Sequence, residues 1–370
     1  MLYIGVFVFL AILSIGDLIE MPKKTRYFWV VVALLLFVVL GSLRWNTGAD
    51  WRPYSRFYAD ADIDDPIFIA SMEPGFGYFV GFLRLFSENF TFFLTALSLA
   101  CIVLKGIFLV RFTQATFLAI ILYWGTTLGD IVAVRQAIAI SICCIGVIFI
   151  VKQKPWVFAL LVLLAMQFHT TSIVFFLAYP VYHIKWSVAW KVMFIVVAIF
   201  LGLSVGYEAM LEKVISIVPS GLGLDRLTQK AESYKMLGTE FFQKDETKSF
   251  TRLVAALAKR AVLLPVFFYY QTIYKDNQHY NGFLNLYTLG NVIFFLFVDF
   301  SVLQRAATTF YFFEIILFCF IFENTRSKGL WFVIILAYAF MKMASNIYAG
   351  YELLVPYIWI FSDDTYRFIF

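Results

Sequence analysis

The sequence predicts an all-α polytopic membrane protein, and three observations carry that reading. Of the 370 residues, 62% are hydrophobic and only 14% charged, with a mean hydropathy of +0.84; a soluble domain is about half apolar and about a quarter charged. The apolar residues come in long runs, several of them near the roughly 20 residues that a helix needs to cross a hydrocarbon core of about 30 Å. Those runs are continuous and lack the period-two alternation of a membrane barrel. Lipid offers no partner to an unsatisfied backbone group, so only helices or closed barrels cross it, and helices remain.

Twelve spans are expected in a single transmembrane domain covering residues 1–370, and no internal repeat or low-complexity tract interrupts them. The first, 2–20, lacks a basic start and an Ala-x-Ala-like processing site, so it reads as a retained helix. Lys23, Lys24 and Arg26 follow it, which suggests that its far end is cytoplasmic. The second is 27–43. An outer loop, 44–74, comes next, and then a segment at 74–87 that carries Arg84 and is expected to be re-entrant or interfacial. Spans at 90–112, 115–129, 131–151, 156–169 and 171–184 follow; several are short for a full crossing, and the pieces around 115–184 can be tilted, broken or differently divided. The span 188–206 leads into a long polar loop, 207–251, whose spacing predicts a short amphipathic helix lying over an outer cavity as a lid. The last four spans are 252–274, 281–299, 302–322 and 328–348.

Charge excludes some functions and orients the chain. The net charge of +5 is spread between apolar spans and forms no basic domain, so no nucleic-acid partner is expected. Cys101, Cys143, Cys144 and Cys319 all lie in apolar runs, match no metal spacing and read as small buried residues. Three histidines cannot make a histidine-rich metal site, and there is no Walker loop, Gly-x-Ser-x-Gly or His-Glu-x-x-His. Short basic loops at Lys23/Lys24/Arg26, Arg111, Lys152/Lys154, Lys185/Lys191, Lys275 and Arg326/Lys328 share one side, which the positive-inside rule makes cytoplasmic. Both termini and both long loops are then expected outside.

On that topology the unusual residues converge on the outer face. Arg44, Asp50 and Glu73 fall in the first outer loop, Arg135 at the outer start of a span, and His169 at an outer turn. Arg260 lies about two turns into its span, Asp299 and Arg305 flank another outer turn, and Tyr351 and Tyr357 follow the last span. An ionisable group at a helix centre costs about 2.5–3.5 kcal/mol on insertion scales, so such groups tend to face a wet cavity or a partner. A cavity rich in arginine suits an anionic substrate, because guanidinium grips phosphate oxygens bidentately and stays charged. Bland readings stand beside these. The arginines can snorkel at helix ends, Asp50 can be a turn residue, Glu73 can open a helix before Pro74, and His169 can mark a helix junction. The run Asp60, Asp62, Asp64, Asp65 reads as a solvated loop, since the glycine and terminal glutamate of a calcium loop are missing.

The segments Arg44-Trp-Asn-Thr-Gly-Ala-Asp50-Trp-Arg-Pro-Tyr54, Glu73-Pro-Gly-Phe76, Arg135-Gln136-Ala-Ile-Ala139 and Phe168-His-Thr-Thr-Ser172, with Arg305 to Tyr311 later, resemble the EpsG-like family of bacterial polysaccharide polymerases, in the broader Wzy class. The resemblance spans roughly residues 30–360 and rests on the ordered set; 207–251 and 350–370 match weakly. It implies a fold like that of type C glycosyltransferases. It also implies an enzyme at the outer face of the bacterial cytoplasmic (inner) membrane that joins oligosaccharide repeats carried on undecaprenyl diphosphate.

Under that resemblance the donor and acceptor are both lipid-linked repeats, with membrane lipid around them and a chain-length regulator as a further partner. Neither a metal nor another cofactor is implied. Arg135 and Arg305, joined by Arg44 or Arg260, would stabilise charge on the leaving diphosphate. Asp50, Glu73 and His169 are the candidate bases, with His169 preferred because its unperturbed pKa of about 6.5 lies nearest neutrality. Trp51, Tyr54, Tyr351 and Tyr357 are candidates for stacking on sugars, an interfacial aromatic belt being the alternative. A flippase or transporter of lipid-linked saccharides and a membrane O-acyltransferase are the competing functions. The absence of inverted-repeat symmetry speaks against the transporter.

Overall fold

Each apolar run is occupied chiefly by helical backbone in the computed structural model of the protein, which describes residues 1–19, 21–132, 134–204, 246–298 and 301–362. The helices in order are α1 (Leu2–Leu18), α2 (Lys23–Leu43), α3 (Trp51–Ala59), α4 (Pro66–Ser71), α5 (Pro74–Arg84), α6 (Phe90–Phe112), α7 (Thr116–Thr127), α8 (Arg135–Val151), α9 (Pro155–Met166), α10 (Ala178–His183), α11 (Val188–Ser204), α12 (Glu246–Ile273), α13 (Gln278–Leu296), α14 (Ser301–Gln304), α15 (Thr308–Tyr311), α16 (Glu314–Asn324), α17 (Lys328–Ala349) and α18 (Tyr351–Leu354). Among the described residues there is no strand, only an isolated antiparallel bridge between Arg44 and Trp359. The amphipathic lid expected within 207–251 falls largely outside the described residues, as does Asp299.

Among the described residues, four stretches are long and apolar enough to cross a membrane: α2, α6, Arg305–Asn324 and α17. Several other apolar helices, among them α1, α8 and α9, are shorter. At 1.5 Å per residue, the 12 residues of α7 reach about 18 Å, well short of a hydrocarbon core. The loop expected at 44–74 and the segment after it hold three short helices, α3 to α5; α5 has 11 residues and cannot cross. The expected span at 171–184 is a 3-10 stretch, Thr170–Leu177, that passes into α10.

The chain forms two compact units: residues 1–182 with 312–370, and residues 183–311. In the first, α7 is the central pillar. Thr116 to Gly125 are all buried, and α1, α2, α16 and α17 pack around them. A buried helix start exposes N–H groups that need acceptors. Here two carboxylates supply them: Asp17 accepts from the Leu118 amide at 2.9 Å, and Glu323 accepts from the amides of Gln114 at 2.6 Å and Ala115 at 2.9 Å and from the Thr113 hydroxyl. Negative charge at this end also complements the helix dipole.

The other end of α7 stops abruptly. Leu128, Gly129 and Asp130 all have left-handed backbone, with φ of 52°, 61° and 58°. Such a conformation costs an ordinary L-residue roughly 1–2 kcal/mol, so a run of three persists only where surroundings hold it. Glycine is required in the middle, because a Cβ on Gly129 would stand 2.7 Å from the Phe37 ring. The chain then restarts as α8 with Arg135 as its first residue.

In the second unit α11 packs along α13, and α12 also meets α13. Lys191 is fully buried near the start of α11; its ammonium donates to the Trp186 carbonyl at 2.8 Å and to Gln271 Oε1 at 3.0 Å.

Candidate functional site

The site grows from the beginnings of two helices. Pro74 opens α5 in the position where its missing N–H costs nothing, and leaves Glu73 extended at the N-cap. Gly75 allows the backbone of this corner to approach Gln167, where a Cβ would collide, and the Phe76 amide donates to the Gln167 carbonyl at 2.9 Å. The end of α9 is thereby stitched to the start of α5. Glu73 is 7% exposed, and Arg135 extends from the start of α8 to meet it.

Arg135 is bound on two sides. Its Nη1 pairs with Glu73 Oε2, and its Nε donates to the Tyr54 hydroxyl at 2.5 Å. The guanidinium also lies over the Tyr54 and Phe76 rings, at 5.8 and 5.9 Å from their centroids. The other Glu73 oxygen accepts from the Thr170 hydroxyl at 3.3 Å. His169 is the next residue back, and its Nδ1 lies 2.7 Å from the Thr171 hydroxyl. Three expected site residues from distant parts of the chain, Tyr54, Glu73 and Arg135, therefore meet at one locus, and His169 adjoins it through its neighbour Thr170. Burial raises the Tyr54 pKa above that of a free phenol although Arg135 opposes the shift, so the hydroxyl keeps its proton.

Arg44 and Asp50 border the same locus. Arg44 caps the end of α2 and is 2% exposed; its Nη1 donates to the Thr47 carbonyl at 3.3 Å, and among the described residues its Nε has no partner. Burial lowers its pKa to about 10, opposed by Tyr357 and Asp50, so it is still charged at neutral pH. Asp50 is exposed at the start of α3, its side chain caps nothing, and its charge is felt by both Arg44 and Tyr54.

The aromatic candidates divide. Trp51 is buried, donates through Nε1 to the Arg44 carbonyl at 3.1 Å, and has its ring against Trp45 and Phe90. Tyr54 is likewise buried and positions Arg135. Tyr357 donates to the Leu40 carbonyl at 2.5 Å and packs edge-on against Tyr3. Tyr351 alone of the four is widely exposed, at 59%.

Arg260 and Arg305 lie in the second unit. Arg260 is 9% exposed; its Nε donates to Asn291 Oδ1 and its Nη2 to the Tyr311 hydroxyl, both at 2.6 Å, and it stacks 3.9 Å from the Phe294 centroid. It lines a cavity of about 490 Å³ whose other walls, such as Val196, Leu264 and Phe268, are apolar. Arg305 starts a one-turn 3-10 segment and is exposed.

Sequence reasoning passed over several partners. Thr170 and Gln167 sit beside residues it did name, Tyr311 closes the late stretch of the resemblance without being singled out, and Asn291 carries no signal of its own in an apolar run. Lys105 and Asp130 did carry one. Lys105 lies mid-way along the expected span 90–112 and Asp130 at the one-residue junction between the expected spans 115–129 and 131–151, and a charge so placed marks a buried partner or a site. Among the described residues, no group of three or more His, Cys, Asp or Glu could hold a metal ion.

Compared with known proteins, the chain matches one family model, described as the EpsG family, over residues 26–359. No curated protein and no solved structure matches it.

Proposed function

The chain belongs to the EpsG family, a family of Wzy-like polymerases, and from that premise we propose that it polymerises lipid-linked oligosaccharide repeats at the outer face of the bacterial cytoplasmic membrane. The observation that carries this reading is the Tyr54–Arg135–Glu73–Thr170 cluster. It sets a half-buried guanidinium, oriented by a carboxylate and a phenol, where an anionic headgroup would find a rigid cationic partner.

In the proposed reaction, the bond between the donor's anomeric carbon and its diphosphate oxygen breaks, and the electron pair leaves with undecaprenyl diphosphate. A hydroxyl of the acceptor repeat forms the new glycosidic bond and gives its proton to a base. Arg135 faces the charge that grows on the diphosphate, which is where a preorganised donor has most effect. Glu73 is already committed to Arg135 and Thr170, so it serves as the orienting carboxylate. That leaves His169, steadied at Nδ1 by Thr171, as the preferred base, with exposed Asp50 the second candidate. Arg260 and Arg305, in the other unit, are assigned the same anion-binding role by this proposal, and their alanine variants test it.

The test is reconstitution. Purified protein given undecaprenyl-diphosphate-linked repeats should produce a ladder of polymer and release undecaprenyl diphosphate. Movement of the repeats across a bilayer without new glycosidic bonds would replace this reading with a flippase. Acyl transfer to the sugar would replace it with an O-acyltransferase.

A further inference from the structure

Lys105 and Asp130 form an ion pair with almost no exposure, at 1% and 6%. The Tyr123 hydroxyl, fully buried, donates to the same Asp130 oxygen at 2.6 Å. Lys105 also lies 5.4 Å from the Tyr123 ring centroid and 5.1 Å from that of Phe312. The three polar groups thus close on one another in an otherwise apolar interior. A buried pair of this kind is weak evidence for stability, since well-packed apolar residues often serve as well. Its position suggests another use.

Asp130 is the last residue of the left-handed Leu128–Asp130 turn, five positions before Arg135. Lys105 belongs to α6 and Tyr123 to α7, so Asp130 ties the turn to two helices that are fixed by their own packing. Four residues separate the turn from α8, so a fixed turn restricts where α8 begins and in what rotational phase. A slip of one residue would rotate the first side chain by about 100°. Arg135 needs its phase, because its fork must reach Tyr54 and Glu73 together.

We propose that Lys105, Asp130 and Tyr123 are positioning residues, which lock the Leu128–Asp130 turn and thereby aim Arg135 at its substrate. The aim at substrate rests on the polymerase reading; the lock on Arg135 does not, and the experiment separates them.

The variant is Lys105→Met with Asp130→Asn in the full-length protein. It removes both charges together, and asparagine tolerates left-handed backbone. Tyr123→Phe, which keeps the ion pair, is the milder companion should the double variant not accumulate. The first readout is the rate at which phenylglyoxal modifies Arg135, followed by mass spectrometry, with exposed Arg52 as internal reference. The second is kcat and KM for polymerisation.

Arg135 should become severalfold more reactive relative to Arg52 in the double variant, and less markedly so in Tyr123→Phe. The kcat should fall about 100-fold, as expected when a positioned group is displaced by an ångström or so, with KM changed little. If Arg135 reactivity changes but the wild type makes no polymer, the lock stands and the polymerase reading falls. Unchanged Arg135 reactivity in variants that fold overturns the proposal, whatever happens to turnover.

Discussion

Arg135 is held by two acceptors of different character, the charged Glu73 and the neutral Tyr54, and that division predicts how substitutions should rank. An ammonium cannot reach both, so Arg135→Lys should fail nearly as badly as Arg135→Ala, with turnover lower by about 100- to 1000-fold on the scale of a lost oxyanion donor. Glu73→Gln keeps the shape and removes the charge. It should cost about tenfold, the usual difference between a charge-assisted and a neutral hydrogen bond. Single-turnover assays on lipid-linked repeats, at matched protein levels, measure both. Arg305 is exposed, so Arg305→Ala should lower turnover without shifting the unfolding temperature. Long polymer from both alanine variants would place the chemistry elsewhere.

At the scale of elements, the short pillar α7 explains how an interior turn comes to exist. A helix of about 18 Å cannot cross the bilayer, so its far end lies among side chains instead of in water. Left-handed backbone there must be enforced by packing. Gly129→Ala would drive a methyl into Phe37 and strain φ, and should destabilise the protein by about 1–3 kcal/mol. Thermal unfolding in detergent reads this directly; an unshifted transition would mean that the turn has slack.

For the whole molecule, the backbone from α18 onward returns to the start of the 44–74 loop. The Trp45 amide donates to the Ile358 carbonyl at 2.8 Å, the Gly48 amide to the Leu353 carbonyl at 2.8 Å, and the Ile360 amide to the Leu43 carbonyl at 2.9 Å. Removing residues from 355 onward should therefore loosen Arg44 and abolish polymerisation while leaving the protein inserted. Full activity after that truncation would show the return to be dispensable. The same contacts constrain topology: cysteines at positions 49 and 361 must label from one side. The expected orientation further places positions 60 and 230 outside and positions 24, 153 and 276 inside. Labelling of 153 from outside would overturn the assignment of the middle spans.

The sequence by itself determined that this is a helical membrane protein, where its apolar runs lie, and which family it resembles. Those features are local: run length, composition and short ordered motifs survive without knowledge of neighbours. It also pointed to Tyr54, Glu73, Arg135 and His169 as site residues, though not to their partnership. Only the tertiary structure decided that Glu73 grips Arg135, that Trp51 and Tyr357 are packed in place, and that Lys105 meets Asp130 and Tyr123. The physical reason is that the partner of a buried charge is set by helix length and phase. An 18 Å helix and a glycine turn bring Arg135 to residues 62 and 81 positions away, and no local pattern records that separation.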